Sequence, residues 1–118
     1  MSDAVEKPKV SAYTLMIVPE ALKEWNKLNN SIKLQLKSKL KSIQLTPKIP
    51  KNRLSGLEGC YKIKLMRAGY RLVYQVIDSK VIVLIWAIDK REDSKVYDSA
   101  RKRLDKIYNN DAVSLILD

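Results

Sequence analysis

Hydrophobic residues recur along this chain first at helical spacing and then at strand spacing. Residues 13–18 form an apolar run that predicts a first strand. Pro19 suits the first turn of a helix over residues 19–28, and Ser31 can cap a second helix over residues 31–44. The residues that form the apolar faces of these two helices are Leu22, Trp25 and Leu28, then Ile32, Leu36, Leu40 and Ile43.

Three strand-like runs follow a loop at residues 46–57. They cover residues 60–66, 70–77 and 81–88, and the connections between them are too short for anything but antiparallel hairpins. The third run is apolar on both faces, so we expect it to be the most buried strand. The order β-α-α-β-β-β-α predicts an α+β fold in which helices back a small antiparallel sheet.

The ends of the chain complete the domain organisation. A cap at Asp93 or Ser94 begins a last helix. We expect a flexible polar leader at residues 1–12, one domain at 13–109 and an apolar tail at 110–118. The tail either packs on its own domain or occupies a partner's groove, and packing is favoured because exposed apolar patches are rare on monomers. The apolar stripe of the last helix is Val96, Ala100, Leu104 and Ile107.

The charge pattern of the first hairpin strand indicates a polyanion partner. Along residues 61–65 apolar and cationic side chains alternate, so Lys62 and Lys64 share one strand face while the other face is buried. The chain has 23 Lys and Arg against 13 Asp and Glu, a net charge of +10. Like charges on one face repel, and nucleic acid phosphate would neutralise them. A solvated basic surface is the alternative reading.

The composition excludes several kinds of chemistry. With no histidine and a single cysteine, Cys60, the usual zinc sites, Ser-His and Cys-His nucleophiles and an internal disulfide are impossible. Acidic residues are scattered, so we expect neither a metal nor another cofactor. Cys60 is predicted to be a partly buried, unreactive residue. No apolar segment is long enough to span a membrane, and we expect a cytoplasmic protein.

The loop length of the first hairpin decides which cations lie together. With a four-residue loop at 66–69, Lys64 lies opposite Arg71, and Lys62, Lys64 and Arg71 share a face. A three-residue loop would move Arg71 to the other face. With Arg91 at the end of the third strand, the four-residue loop would give a cradle for phosphate.

Such a cradle could also cleave RNA without a metal. The 2′-hydroxyl of RNA can attack the adjacent phosphate if a base removes its proton and the leaving 5′-oxygen is protonated. Cations close to a phenol or an ammonium group favour its deprotonated form, so Tyr97 or a lysine is the expected base. Arginine stays protonated, so Arg71 and Arg91 are expected to stabilise the phosphorane.

Several ordered motifs resemble those of the RelE family of toxin–antitoxin ribonucleases. They are ALKEW and KL within residues 21–28, CYKIKL at 60–65, GYRLVYQVID at 69–78, KRE at 90–92 and VY at 96–97. The resemblance spans about residues 13–104. It implies a small antiparallel sheet backed by helices, and an enzyme that enters the ribosomal A site and cuts the exposed mRNA codon.

The resemblance also implies roles for individual residues. Lys62 and Lys64 match the paired strand lysines of the family, Arg71 the arginine of the GYR strand, Arg91 the arginine after the last strand and Tyr97 the tyrosine of the final helix. In the family the tyrosine or a lysine is regarded as the base, and the arginine matching Arg91 is often given the acid role.

The wider RNA surface departs from the family at one point. Relatives carry a basic residue just before the glycine of the loop, where this chain has Ser55. Arg53 lies nearby and could replace the missing contact. The residues expected to bind RNA are Lys62, Lys64, Arg53, Arg67 and Lys90.

The resemblance finally implies partners. These are mRNA and rRNA at the A site, and a small antitoxin that wraps the toxin, blocks ribosome entry and represses the operon, so operator DNA is contacted only through the complex. The apolar tail lies beyond the matched region, and we hypothesise that it covers a groove also used by the antitoxin. The alternatives are a non-catalytic RNA- or rRNA-binding module and a gyrase-targeting toxin of the same fold.

Overall fold

The computed structural model describes residues 12–90, 95–105 and 112–117. The five strands are β1 (Thr14–Ile17), β2 (Cys60–Leu65), β3 (Tyr70–Ile77), β4 (Ile82–Lys90) and β5 (Val113–Ser114). The three α-helices are α1 (Pro19–Asn26), α2 (Asn30–Leu45) and α3 (Lys95–Asp105), and single turns of 3-10 helix lie at Pro50–Asn52 and Asp78–Lys80. None of the described helices is long and apolar enough to cross a membrane.

All five strands belong to one sheet, in the order β2-β3-β4-β1-β5. The α+β prediction is confirmed, and β2, β3 and β4 form the expected antiparallel hairpins. The sheet is mixed rather than wholly antiparallel, because β1 pairs with β4 in parallel. Between β1 and the hairpins the chain passes through α1 and α2, which gives the length that a parallel crossover needs.

The tail adds an edge strand that the sequence pattern did not predict. Ser114 and Val113 of β5 pair antiparallel with Met16 and Ile17 of β1, and Leu115 N donates to Leu15 O at 3.0 Å. The described part of the tail therefore packs on its own domain, as expected.

The helix faces match the predicted stripes, but one cap differs. The four residues of the α2 stripe are buried. The cap of α2 is Asn29, not Ser31, since the Asn29 side chain accepts a hydrogen bond from Ile32 N at 3.0 Å. This bond satisfies one free amide of the first helical turn. The predicted cap of α3 at residues 93–94, and Ile107, lie outside the described residues.

One face of the hairpin sheet packs into the core. Tyr61 and Tyr74 are paired across β2 and β3, and their rings stack with centroids 5.6 Å apart. The Tyr74 hydroxyl donates to Pro47 O at 2.7 Å, so the segment after α2 covers this face. Burial raises the pKa of Tyr74. Cys60 is fully rather than partly buried, and burial raises its pKa to about 12, which fits the expected unreactive thiol.

The other face is covered by α3, which packs on β3 and β4. Val96 and Ala100 are its fully buried contacts. Beneath the helix, β4 contains a bulge: Ala87 pairs with Val73 and Ile85 with Tyr74, which leaves Trp86 without a partner on β3. The rest of this face, on β2 and the start of β3, carries Lys62, Lys64 and Arg71, which are partly exposed.

Candidate active site on the open sheet face

The register of the first hairpin brings three predicted cations together. Lys64 pairs with Arg71 and Lys62 with Val73, as the four-residue loop predicts. The loop closes through a bond from Gly69 N to Leu65 O at 2.7 Å, and Gly69 adopts φ 74°, which favours glycine. Side chains two residues apart on one strand share a face, so Lys62, Lys64 and Arg71 lie side by side.

Tyr97 completes this group from the first turn of α3. The Arg71 guanidinium donates from Nη1 to the Tyr97 hydroxyl at 3.1 Å, and its carbon lies 5.9 Å from the centroid of the tyrosine ring. The two residues are 26 positions apart in sequence. The structure therefore joins four of the five predicted catalytic residues, Lys62, Lys64, Arg71 and Tyr97, at one end of the helix–sheet interface.

Arg91, the fifth predicted catalytic residue, lies outside the described residues. Strand β4 ends at Lys90, immediately before it.

An acidic residue that sequence reasoning missed stands next to this group. Asp89 of β4 pairs with Arg71 of β3, so its side chain faces the same way as the arginine. Its carboxylate accepts a hydrogen bond from Lys90 N at 2.8 Å. The alternation on β4 could have revealed Asp89 once the register with β3 was known.

The other predicted RNA contacts are distributed around the group. Lys90 pairs with Tyr70 and lies over its ring, with Nζ 5.7 Å from the centroid, so it belongs to the face opposite Lys64. Arg67 is exposed in the β2–β3 loop. Arg53 is exposed beside Tyr61, with which it forms a single bridge at the sheet edge. Their contacts with RNA stay predictions.

A surface pocket of about 650 Å³ lies in the loop before β2. The loop faces α3, because Arg101 Nη2 lies 3.9 Å from the point where a side chain on Gly56 would begin. Arg101 thus supplies a cation beside the loop that carries Ser55, a contribution that the sequence pattern did not single out. The residues lining the pocket are Arg53, Leu54, Ser55, Gly56, Leu57 and Glu58.

The cations of the open face lack carboxylate partners within the described residues. The ion pairs among the described residues lie elsewhere and join Lys48 to Asp78, Arg101 to Asp98 and Arg103 to Glu24. In the same part of the chain, no group of three or more acidic or thiol side chains could hold a metal ion. The positive charge that the described residues offer a ligand at this face therefore comes from Lys62, Lys64 and Arg71, with the carboxylate of Asp89 beside them.

The fold and the site define a small basic α+β protein with a cationic sheet face that has no ion pair within the described residues and lies beside the phenol of a helix. Comparison with known proteins gives the family. The chain matches the model of the ParE toxin of type II toxin–antitoxin systems, parDE, over residues 15–94. It is 52% identical over 93 residues to the mRNA interferase toxin RelE of Escherichia coli strain K12, which covers 79% of this chain and 98% of that protein. The chain therefore belongs to the RelE/ParE family of toxins of type II toxin–antitoxin systems.

Solved structures of relatives agree with this assignment. The isolated E. coli RelE toxin in its P21 form is 50% identical, with a TM-score of 0.67 and coverage of 79% of this chain and 99% of that chain. The E. coli RelE toxin within the intact RelBE toxin–antitoxin complex is 51% identical, with a TM-score of 0.67 and coverage of 69% and 99%. The fold described above is therefore the RelE fold.

Proposed function

We propose that this protein is an mRNA interferase, a toxin that cleaves mRNA in the ribosomal A site. The names of its relatives support this activity. The observation that carries it here is the contact of Arg71 with the Tyr97 hydroxyl at 3.1 Å, beside a lysine in cross-strand register. A group that can accept a proton and a group that can bind phosphate are thus adjacent on an open surface.

The reaction follows from these positions. Lys62, Lys64 and Arg71 bind the non-bridging oxygens of the scissile phosphate and stabilise the charge that develops there. Tyr97 or one of the lysines takes the proton of the attacking 2′-hydroxyl. The new 2′-oxygen–phosphorus bond replaces the bond to the 5′-oxygen, which leaves with a proton from a cationic group. Arg91, which follows Lys90 in the sequence, is proposed to stabilise the same phosphorane.

The proposal includes a protein partner and a cellular place. A RelE toxin has been solved with its antitoxin RelB. We infer that a small cognate antitoxin binds this chain and that the complex, rather than the toxin alone, contacts operator DNA. A ribosome-dependent enzyme acts in the cytoplasm. The non-catalytic and gyrase-targeting alternatives use neither Tyr97 nor Arg71 for phosphate chemistry.

Primer extension tests this function. An mRNA on ribosomes with an empty A site, incubated with the protein, is expected to show cuts localised to the A-site codon. Arg71→Ala and Tyr97→Phe should lose most of these cuts. The matched control is Lys39→Ala, which removes a cation from the exposed surface of α2 and should keep full activity.

Three results would contradict parts of the proposal. No codon-localised cutting, or full cutting by both Arg71→Ala and Tyr97→Phe, would overturn the assigned activity or site. Cleavage of free RNA at the same rate would remove the ribosome dependence. Inhibition of DNA supercoiling by gyrase, without RNA cleavage, would favour the gyrase-targeting alternative.

A further inference from the structure

The far end of α3 is fixed by an ion pair that the catalytic assignment does not use. Glu24 of α1 accepts hydrogen bonds from Arg103 at both carboxylate oxygens, at 3.0 Å from Nη1 and 2.9 Å from Nη2. This is the two-pronged geometry that makes arginine–carboxylate pairs directional. Both side chains are largely removed from solvent, with 18% of Arg103 and 27% of Glu24 exposed.

The same pair also binds the backbone of β4. Arg103 Nη1 donates to Trp86 O at 2.8 Å, and Ile88 N donates to Glu24 Oε1 at 3.0 Å. Strand β1 ends at Ile17, opposite Ile85, so β4 continues beyond its parallel neighbour. Glu24 and Arg103 take the place of a strand there and satisfy Ile88 N and Trp86 O, which lie beyond the end of β1.

The apolar stripe of α3 is short and carries few large side chains. The helix has 11 residues; its fully buried side chains, Val96 and Ala100, are both small, and Tyr97 and Leu104 are only partly buried against the core. Small side chains on a narrow stripe allow a helix to rotate or slide, whereas a forked arginine bound at three points does not. Tyr97 lies six residues before Arg103, about 9 Å along the helix axis at about 1.5 Å per residue. A shift at Arg103 therefore moves the Tyr97 hydroxyl relative to Arg71.

We propose that Glu24 and Arg103 are positioning residues for Tyr97: they join α1, β4 and α3 so that the Tyr97 hydroxyl stays within hydrogen-bond distance of Arg71. The proposal rests on the proposed function of Tyr97 for its catalytic consequence. Neither Glu24 nor Arg103 is assigned a contact with RNA. Their effect on cleavage passes through the helix.

Steady-state cleavage of mRNA on programmed ribosomes measures the effect of the pair on kcat and KM. A displacement of about 1 Å in a reacting group can cost on the order of 10²-fold in rate, so Arg103→Met is expected to lower kcat by about 10- to 100-fold with little change in KM. Lys102→Met is the matched control, because it removes the same charge from the exposed side of the same helix and should retain both constants. A rise in KM with unchanged kcat would overturn the positioning role.

A double-mutant cycle separates positioning from general destabilisation. In the Tyr97→Phe background, Arg103→Met should cost less than about threefold further, because the hydroxyl that it positions is already gone. Losses that multiply in full would contradict the proposal. Glu24→Gln, which retains an acceptor for Ile88 N, provides a milder variant and should show an intermediate loss of kcat.

An NMR measurement that does not depend on cleavage separates the positioning role of Arg103 from the catalytic role of Tyr97. Nuclear Overhauser contacts between the Tyr97 ring and the Arg71 side chain should be present in the wild-type chain and in Lys102→Met, and should be lost in a folded Arg103→Met protein. If the contacts persist in Arg103→Met, the positioning role is wrong whatever the enzyme does. If they are lost while Tyr97→Phe cleaves normally, the positioning role stands and the catalytic role of Tyr97 fails.

Discussion

Two arginines lie at the interface of α3 with the sheet, and their surroundings differ. Arg103 uses its fork on both oxygens of Glu24 and on the backbone carbonyl of Trp86. The hydrogen bond of Arg71 within the described residues goes to the hydroxyl of Tyr97, and two lysines lie beside it. Arg103 joins α1, β4 and α3 through these bonds, whereas Arg71 has no ion pair within the described residues and so has donors to offer the proposed phosphate ligand.

This difference matters because unpaired cations on a shared face reduce stability. Like charges directly opposite each other on neighbouring strands repel, as Lys64 and Arg71 must. An anionic ligand such as phosphate removes that repulsion on binding. The cost in the free protein is therefore consistent with a binding site, whereas no such argument applies to Arg103.

The largest effect that tests the comparison is expected from Arg71→Ala. Removal of one donor that stabilises a transition-state anion typically lowers the rate by about 10²–10³-fold. Because Lys64 on one side of Arg71 repels it while Asp89 on the other side attracts it, its removal should leave the free energy of unfolding unchanged within about 0.5 kcal/mol. Single-turnover cleavage and urea unfolding of the same preparation measure the two quantities. A loss of more than about 2 kcal/mol in stability would place Arg71 with Arg103 as a structural residue.

The second effect is the reverse one, at Glu24→Ala. This change removes the acceptor of Ile88 N and leaves the Arg103 guanidinium with Trp86 O but without its carboxylate. Breaking a buried pair costs about 3–5 kcal/mol, and the partial exposure of this one lowers the expected loss of stability to about 2 kcal/mol. Urea unfolding measures it, with Glu20→Ala, an exposed residue of the same helix, as the control. Equal stability of both variants would mean that Arg103 contributes no more to folding than Arg71.

The sequence predicts the cations and Tyr97 of the candidate site better than the Glu24–Arg103 pair that fixes α3. A period of two and a four-residue loop are local properties, and they are sufficient to bring Lys62, Lys64 and Arg71 onto one face. The position of Tyr97 also followed from its place in the first turn of a helix, together with the family motif. Cationic residues that alternate with apolar ones can be recognised in the sequence because the alternation itself assigns them to one strand face.

The support depends on contacts between distant parts of the chain. Glu24 and Arg103 are 79 residues apart, and neither breaks the pattern of its own helix. The parallel pairing of β1 with β4 and the edge strand β5 depend on how the helices pack, which periodicity does not encode. The cap of α2 fell among Asn29, Asn30 and Ser31, three residues that cap helices almost equally well.

The smallest effect concerns a second ion pair, Lys48 with Asp78, which is exposed. Lys48 and Tyr13 both hydrogen bond to Asp78 at the turn between β3 and β4, and about half of the Lys48 and Asp78 side chains is exposed to solvent. The hydrogen bond from Lys48, with that from Tyr13, lowers the pKa of the Asp78 carboxyl below its ordinary value of 3.8. The hydrogen bond to Asp78 raises the pKa of Lys48 in turn.

These shifts define where the exposed pair contributes to stability. A carboxyl with a lowered pKa in the folded state stabilises the protein above its ordinary value of 3.8, and that contribution is lost as the pH falls through the lower folded pKa. Asp78→Asn should therefore flatten the acid limb of the stability curve slightly and leave stability at pH 7 only a little lower, since exposed pairs contribute little. Urea unfolding of both proteins between pH 2 and pH 7 measures the difference. Asp78→Asn could instead lower the free energy of unfolding at pH 7 as much as Glu24→Ala does. The burial of the Arg103–Glu24 pair would then not explain its contribution to stability. The difference between Arg103 and Arg71 would have to come from the presence of a carboxylate partner alone.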